Sequence, residues 1–327
     1  MFDVADHCGV SHQTVSRVVN NTGSVSSKTR EKVLAAIEEL GYQPNLAAKA
    51  LATGKTNTIG VLSYDSTLYG PTAMLHSIQV AARDAGYQVV LNSVENLSNS
   101  AITEGIAALS KVNVDGVIVI APRSADSDSA VQVATRVPIM FTETQDREPF
   151  GMVDVDQVGL GSMATEFLLE LGHTKIAHIA GNEDWLAAKR RRSGFATTMA
   201  KNSLTPAGIA QGDWTPKSGY EGAKSLIAEG KFTAIFVAND GMAIGALKAL
   251  NEAGLRVPED VSLISVDDSA EAEYVQPALT SVRQQFDKVG KALLERLLTQ
   301  IDGETTAGPK RKLIPGILMP RESATRI

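Results

Sequence analysis

From residue 58 onward the chain repeats one pattern. A short apolar, β-branched run is followed by a stretch of helical character, and then by another run. The runs are "TIGVLSY", "QVVLNSV", "GVIVIAP", "IMFTET", "KIAHIAG", "AIFVAN" and "SLISVDD". Such short, continuously apolar runs suit strands buried on both faces. Strands that alternate with helices pair in parallel, because each helix carries the chain back across the sheet. The texture of residues 58–145 is similar to that of 175–268. The expectation is an α/β core of two doubly wound parallel-sheet lobes.

The first 43 residues read differently, as three short helices. One covers 3–8 and ends at Gly9, a residue suited to a helix C-terminus. The next starts after Ser11, a good N-cap, and runs to Asn20. After the loop "NNTGS", a third helix spans 27–40, with Val33, Ile37 and Leu40 on one stripe, and stops at Gly41. Pro44 breaks the chain. In "NLAAKALATGKTN" Asn45 can cap a further helix through Leu51, which Gly54 ends. That helix is too short to be stable alone in water.

The second helix, "VSHQTVSRVVN", carries two faces. Val10, Val15, Val18 and Val19 need a core. Ser11, His12, Gln13, Thr14, Ser16 and Arg17 form a hydrogen-bonding face that packing does not require. Two short helices joined by a tight turn at Gly9, the second displaying polar groups, form the helix-turn-helix pattern. Its second helix enters the major groove, where Gln pairs with adenine, Arg with guanine, and Ser or Thr reaches base edges or phosphates. A solvated amphipathic helix accounts for the same pattern. Local charge decides little: Arg17, Lys28, Arg30, Lys32 and Lys49 stand against Asp3, Asp6, Glu31, Glu38 and Glu39.

Composition bounds the function. A chain of 327 residues holds two or three domains, and 43% hydrophobic with 21% charged residues is ordinary globular usage. A net charge of −6 means that a nucleic-acid site has to be a local patch. The single cysteine, Cys8, excludes an intramolecular disulfide, fits a reducing compartment, and reads as a small core side chain rather than a reactive thiol. "MFDVADHCGV" is not a secretory signal, and no run approaches the ~20 apolar residues of a spanning helix. The expected location is the cytoplasm, with no membrane partner. The histidines, His7, His12, His76, His173 and His178, have no metal-ligand spacing, and no phosphate-loop motif is present. The expectation is a protein that is not an enzyme and holds no metal or cofactor.

Open α/β sheets bind ligands at the carboxyl ends of their strands. Glu143, Asn239, Asp240, Asp267 and Asp268 lie there, and Trp214 stands in "GDW". Taken singly, Asp240 and Asp268 read as helix caps and Trp214 as core or ligand platform. As a set they suit a sugar. Carboxylates and Asn share hydroxyl protons, Arg donates in a fixed fork, and an aromatic ring covers the apolar face of a pyranose.

"DVADHCGVSHQTVSRVVNNTGSVSSKTREKVLAAIEELGYQPNLAAKALATGKTNTIGV" closely resembles the start of LacI/GalR-family transcription regulators, and the lactose-type members in particular. The resemblance continues through "AGNEDWLAAKRRRSGF", "GDWTPKSGY", "VANDGMAIGALKAL", "SVDDS" and "LTSVRQQF", nearly the whole chain. It implies a helix-turn-helix domain over 1–43 and a hinge helix and linker over 44–57. A periplasmic-binding-protein-like core would cover 58–327, with an N-lobe of 58–155 and 285–313 and a C-lobe of 156–284 and 314–327. It implies a homodimer on a pseudo-palindromic operator, released by a small sugar, with galactosides as first candidates. By resemblance His12, Gln13 and Arg17 contact bases, and Thr14, Ser16 and Asn20 lie nearer phosphates. The 45–51 helix would enter the minor groove, with Leu51 as the wedge that bends the duplex and Ala48 and Ala52 allowing close approach of its dimer mate.

In the core, Arg191, Trp214, Asn239 and Asp267 match effector-contacting positions. Gln284 and Phe286 match the pocket border, and Leu68, Gly70, Pro71 and Met74 the first-lobe wall. Glu143 stands where an aspartate is expected, Tyr64 where a small hydroxyl residue is, and Ile120 where an asparagine is. These departures leave the sugar open. The tail lacks a tetramerisation segment, which implies a dimer. Helix one lacks the preceding hydroxyl residue that caps it in the family, which implies a natural start upstream of Met1. Two alternatives remain: a corepressor-dependent regulator that binds a planar base, and a sugar-binding receptor without DNA function.

Overall fold

The computed structural model describes residues 1–20, 22–43, 50–51, 54–64, 67–95, 98–120, 137–142, 152–304 and 311–327. The chain divides into two compact units, Met1–Asn57 and Thr58–Ile327.

In the first unit the sequence signals place three helices, α1 (Phe2–Cys8), α2 (His12–Val19) and α3 (Ser27–Glu39). Gly9 takes φ 59°, and the amides of Gly9 and Val10 bond back to the carbonyls of Asp6 (3.1 Å) and Ala5 (3.0 Å). This left-handed turn ends α1 and redirects the chain. The Ser11 hydroxyl then accepts from the Thr14 amide at 3.2 Å, and Ser26 does the same for Thr29 ahead of α3. Val4, Ala5, Cys8, Val15, Val18, Val33 and Ala36 form the core. Leu40 departs from the expected stripe. It is the C-cap of α3 and is 44% exposed, because the apolar face stops one turn earlier, where Ala36 packs.

The second unit holds two main sheets. β1 (Thr58–Tyr64), β2 (Gln88–Val94), β3 (Gly116–Ile120) and β4 (Ile139–Thr142) pair in parallel in the order β2-β1-β3-β4. β5 (Met152–Val155) pairs with β11 (Arg311–Ile314). The larger sheet runs β12-β10-β9-β8-β6-β7. Its strands are β6 (Ile176–Ala180), β7 (Gly208–Gln211), β8 (Ala234–Val237), β9 (Ser262–Asp267), β10 (Thr280–Arg283) and β12 (Ile317–Met319). All are parallel except β12, which returns antiparallel to β10. The helices are α4 (Tyr69–Asp84), α5 (Asn99–Lys111), α6 (Gln157–Glu170), α7 (Leu186–Lys201), α8 (Pro216–Glu229), α9 (Asp240–Glu252) and α10 (Phe286–Ile301). The chain therefore serves both sheets to its end: α10 goes back to pack on α4, and β12 rejoins the larger sheet.

Each of the seven apolar runs is a strand. Strands β5, β7, β10, β11 and β12 are not among those runs, and β7 and β12 are sheet edges.

α6 and α7 lie against each other without side chains between them at two points. A Cβ on Gly161 would stand 2.1 Å from the Arg191 carbonyl oxygen, and one on Gly194 would stand 2.1 Å from that of Val158. This contact fixes the helix that carries Arg191. Among the described residues, no helix is long and apolar enough to cross a membrane.

Candidate functional site

The polar face of α2 is on the surface of the first unit. Its valines anchor it, and His12, Gln13, Arg17 and Asn20 are exposed. His12 lies against the Phe2 ring at 5.2 Å. The Asn20 amide donates to the Ser16 hydroxyl at 3.2 Å, and the Ser11 and Thr14 hydroxyls share a 2.9 Å bond at the cap. Gln13 and Arg17 thus stand forward of a capped, pre-ordered helix. Gly23 takes φ 69°, a left-handed conformation that favours glycine, and lies in ordinary contact with the Arg17 stem. Leu51 is helical and 92% exposed. Asn45, Ala48 and Glu143 lie outside the described residues, as does Ala52.

In the second unit, the carboxyl ends of β1, β6, β8, β9 and β10 converge on one cavity. Leu68, Tyr69, Gly70, Pro71, Trp185, Ala187, Arg191, Trp214, Asn239, Asp267, Gln284 and Phe286 line it. The space is about 40 Å³, room for a few waters.

Arg191 and Asp267 are both buried at its polar end. The Arg191 Nε donates to Gln157 Oε1 at 2.7 Å, its Nη1 donates to the Ala238 carbonyl, and its Nη2 stands 3.9 Å from Asp267 Oδ1. Gln284 donates to Asp267 at 2.6 Å and accepts from Gln157 at 3.0 Å. Both contacts to Asp267 fall on the same carboxyl oxygen, Oδ1. Burial pushes the Asp267 carboxyl up to about 7, against the pull of Arg191.

Trp214 holds a left-handed backbone (φ 78°), and Asp267 and Asp268 take φ 126° and 57°. Such strain costs on the order of 1–3 kcal/mol per residue and concentrates at ligand sites. Neighbours enforce it. Asp213 accepts from the Thr215 hydroxyl at 2.6 Å, and Asn239 donates to the Trp214 carbonyl at 3.1 Å while capping α9. Gly181 makes room for the indole, which a Cβ would strike at 2.2 Å. The buried Trp214 Nε1 has no partner among the described residues, a donor left for a ligand.

Three readings need correction. Asp240 is not a helix cap: Asn239 is. The Asp240 carboxylate is buried and accepts from Ser265 (2.5 Å), Ser281 (2.8 Å) and the Ser269 amide (2.7 Å), tying the turn after β9 to two strands. Asp268 is not a cap either, but an ion-pair centre for Arg283 and Arg321, each at 2.6 Å. Met74 does not line the cavity; it faces inward from α4 into the core. Sequence reasoning missed Tyr69, Trp185 and Gln157. Tyr69 precedes the quoted "GP" wall, and burial next to Asp267 raises its hydroxyl to about 12. Trp185 was legible only as the second tryptophan of the chain.

A second buried titrating group opposes Asp267. His178 stacks on Phe236 at 4.6 Å and donates from Nδ1 to the Phe236 carbonyl, and burial lowers it to about 4. From pH 4 to its ordinary 6.5, the unfolded imidazole is protonated and the folded one is not, so His178 makes stability rise with pH. From pH 3.8 to about 7, the folded Asp267 keeps a proton that the unfolded chain has lost, so its contribution falls with pH. Each slope is at most ~1.4 kcal/mol per pH unit. Relative to wild type, Asp267→Asn should gain stability as pH rises through this window, and His178→Leu should lose it. Urea titrations across the window check both signs.

Comparison with known proteins bears on both units. Residues 1–45 match the family model "Bacterial regulatory proteins, lacI family", and 165–324 match "Periplasmic binding protein-like domain". The lactose operon repressor of Escherichia coli is 35% identical over 99% of this chain and 90% of its own length. This chain belongs to the lacI family. Its lacI-family relatives are transcriptional regulators, not enzymes. They include AscG of Escherichia coli, 35% identical over 99% of this chain and 97% of its own, and DegA of Bacillus subtilis, 36% identical over 100% and 96%. The lac repressor dimer bound to operator and the anti-inducer ONPF superposes with a TM-score of 0.88 at 35% identity, covering 99% of this chain and 98% of that one. A CelR–cellobiose complex matches at 0.74 and 32% identity, over 98% of each. The two-lobed lacI-family architecture is thus the fold of this chain.

Proposed function

We propose that this lacI-family regulator is a cytoplasmic repressor that binds a palindromic operator as a homodimer and releases it on binding a small sugar. Residues 1–43 are assigned to DNA reading, 44–57 to the hinge, and 58–327 to effector binding and dimerisation. Ser11, His12, Gln13, Thr14, Ser16, Arg17 and Asn20 would face the major groove, and Asn45, Ala48 and Leu51 the minor groove. The observation that carries the sugar reading is the convergence in one cavity of Asp267, Arg191, Asn239 and the Trp214 indole, whose N–H has no hydrogen-bond partner among the described residues. Acceptors, a forked donor and an aromatic face are what a polyhydroxylated ring needs. A planar base would use the same aromatic faces and a carboxylate as acceptor for its N–H groups, so the operator assay decides between the two.

A gel shift with the promoter region beside its own gene tests the reading. A specific shift that sugars reverse supports it, a shift that a ligand strengthens supports the corepressor alternative, and no shift leaves a receptor. Arg17→Ala and Gln13→Ala should each cost about 1–3 kcal/mol in operator binding and relax base preference at one position per half-site. Wild-type affinity should fall steeply with salt, with a shallower slope if a phosphate-contacting residue is removed. Base preference that survives in both variants would place the reading face elsewhere.

A further inference from the structure

The chain passes between its two main sheets at 155–157 into α6, at 284–286 into α10, and at 314–316 into β12. A hydrogen bond joins each pair of these crossings. The Asp156 amide donates to the Ile314 carbonyl at 2.9 Å, and the Gln285 carboxamide donates to the Pro315 carbonyl at 2.8 Å. The Gln157 carboxamide donates to that of Gln284 at 3.0 Å. The first two bonds end on main-chain carbonyls. The third joins two buried side chains, and Gln284 carries it into the cavity.

That third bond is the middle of a row. Arg191 Nε donates to Gln157 Oε1 at 2.7 Å, Gln157 Nε2 donates to Gln284 Oε1, and Gln284 Nε2 donates to Asp267 Oδ1 at 2.6 Å. Its direction is forced. A guanidinium only donates, so Gln157 must turn its oxygen to Arg191 and its NH2 to Gln284. Gln284 must then turn its oxygen to Gln157 and its NH2 to Asp267. Gln157 itself is 2% exposed and does not line the cavity. An apolar side chain of its size would fill the same space without the cost of burying an amide.

We propose that Gln157 is a positioning residue of the effector response: its carboxamide passes the donor direction of Arg191 to Gln284 and so wires the Asp267 carboxyl to two of the three crossings. This rests on the reading of the cavity as an effector site. Bonds in such a row polarise one another, and an ionised acceptor at its end strengthens the last of them. Whatever changes how Asp267 accepts from Gln284 therefore tightens or loosens the clip between 155–157 and 284–286. The ionisable groups that face Asp267 are Arg191 of α7, Asp240 of α9 and Tyr69 of α4, with the Asp268–Arg283 ion pair beside it.

Amide hydrogen exchange of the full chain, without ligand, tests the wire. The readout is protection of the Asp156 amide, corrected for intrinsic exchange and set against the amides of β8 and β9. Asp267 titrates at about 7, so wild-type protection at Asp156 should rise about fivefold from about pH 6 to about pH 8, as Gln284 comes to donate to a charged acceptor. Asp267→Asn should flatten that rise. Gln157→Met, which fills the space but makes neither bond, should flatten it and lower protection at Asp156 while sparing β8 and β9. Gln157→Glu keeps an acceptor for Arg191 but has no donor for Gln284, so it too should flatten the rise. A rise that survives in Gln157→Glu or Gln157→Met overturns the proposal, because the wire then bypasses the carboxamide. So does a flat wild-type profile, or protection lost evenly along the chain, the mark of a merely structural residue. No ligand enters the measurement, so each of these failures leaves the effector reading standing. That reading falls separately, if no ligand alters operator binding.

Discussion

Asp267→Asn is expected to give a repressor that no longer lets go. The substitution keeps size and one hydrogen bond to Gln284, but removes the ionisable acceptor at the cavity's polar end. Each charge-assisted bond lost to a sugar hydroxyl weakens binding by about 1.5–3 kcal/mol, and more if a partner is left unsatisfied. Induction works only through unequal affinity for two states, so weaker sugar binding becomes a weaker shift. Operator binding without sugar is carried by residues of the other unit and should be retained. Arg191→Ala should behave alike. Since the free carboxyl titrates near 7, hydroxyl donation to its ionised form should also make wild-type sugar affinity rise with pH through that value. Titrating operator release with galactosides and other glycosides decides the matter: release of the Asp267→Asn protein at wild-type sugar concentrations would falsify the assignment.

The second large effect comes from a residue that touches no ligand. Gly161→Ala places a methyl group 2.1 Å from the Arg191 carbonyl oxygen, on backbone that cannot swing aside. The α6–α7 contact must open, at a cost of about 1–3 kcal/mol or more. Arg191 sits on the opened helix, so its fork should also lose its aim at Gln157 and the Ala238 carbonyl. We expect a lower unfolding midpoint together with a raised inducer requirement. Ser162→Ala, one position along α6 with its hydroxyl in a long 3.4 Å bond to the Gly194 carbonyl, serves as a mild control. A Gly161→Ala protein as stable and as inducible as the control would show that the helix pair tolerates separation.

The larger strands were legible because buried parallel strands are continuous apolar runs, as "KIAHIAG" and "SLISVDD" show. The ends around the first turn of the first unit were legible because caps are local chemistry: Ser11 and Gly9 each act through neighbours a few residues away. The short strands β5 and β11 were not, since each exists only through pairing across more than 150 residues of chain. In the cavity, Arg191, Trp214, Asn239, Asp267, Gln284 and Phe286 were reached by position and resemblance. Asp240 was misread because a carboxylate at a helix start is a cap by local rules. The three donors that claim it come from positions 265, 269 and 281, which only the folded sheet brings together. Met74 was misplaced by one helix face, a difference that a wall of sequence neighbours such as Gly70 and Pro71 does not reveal.

The pairing of Trp185 with Trp214 has an optical consequence. With no other tryptophan in the chain, the red edge of its ultraviolet emission arises wholly from the cavity. One ring faces a guanidinium and the other a tyrosine edge, so the two emitters differ in polarity and in quenching. At 5.5 Å they also exchange excitation, which couples their near-ultraviolet dichroism. The unlabelled protein thus carries its own reporter, bright or dim according to what occupies the cleft and silent about the DNA-reading helices.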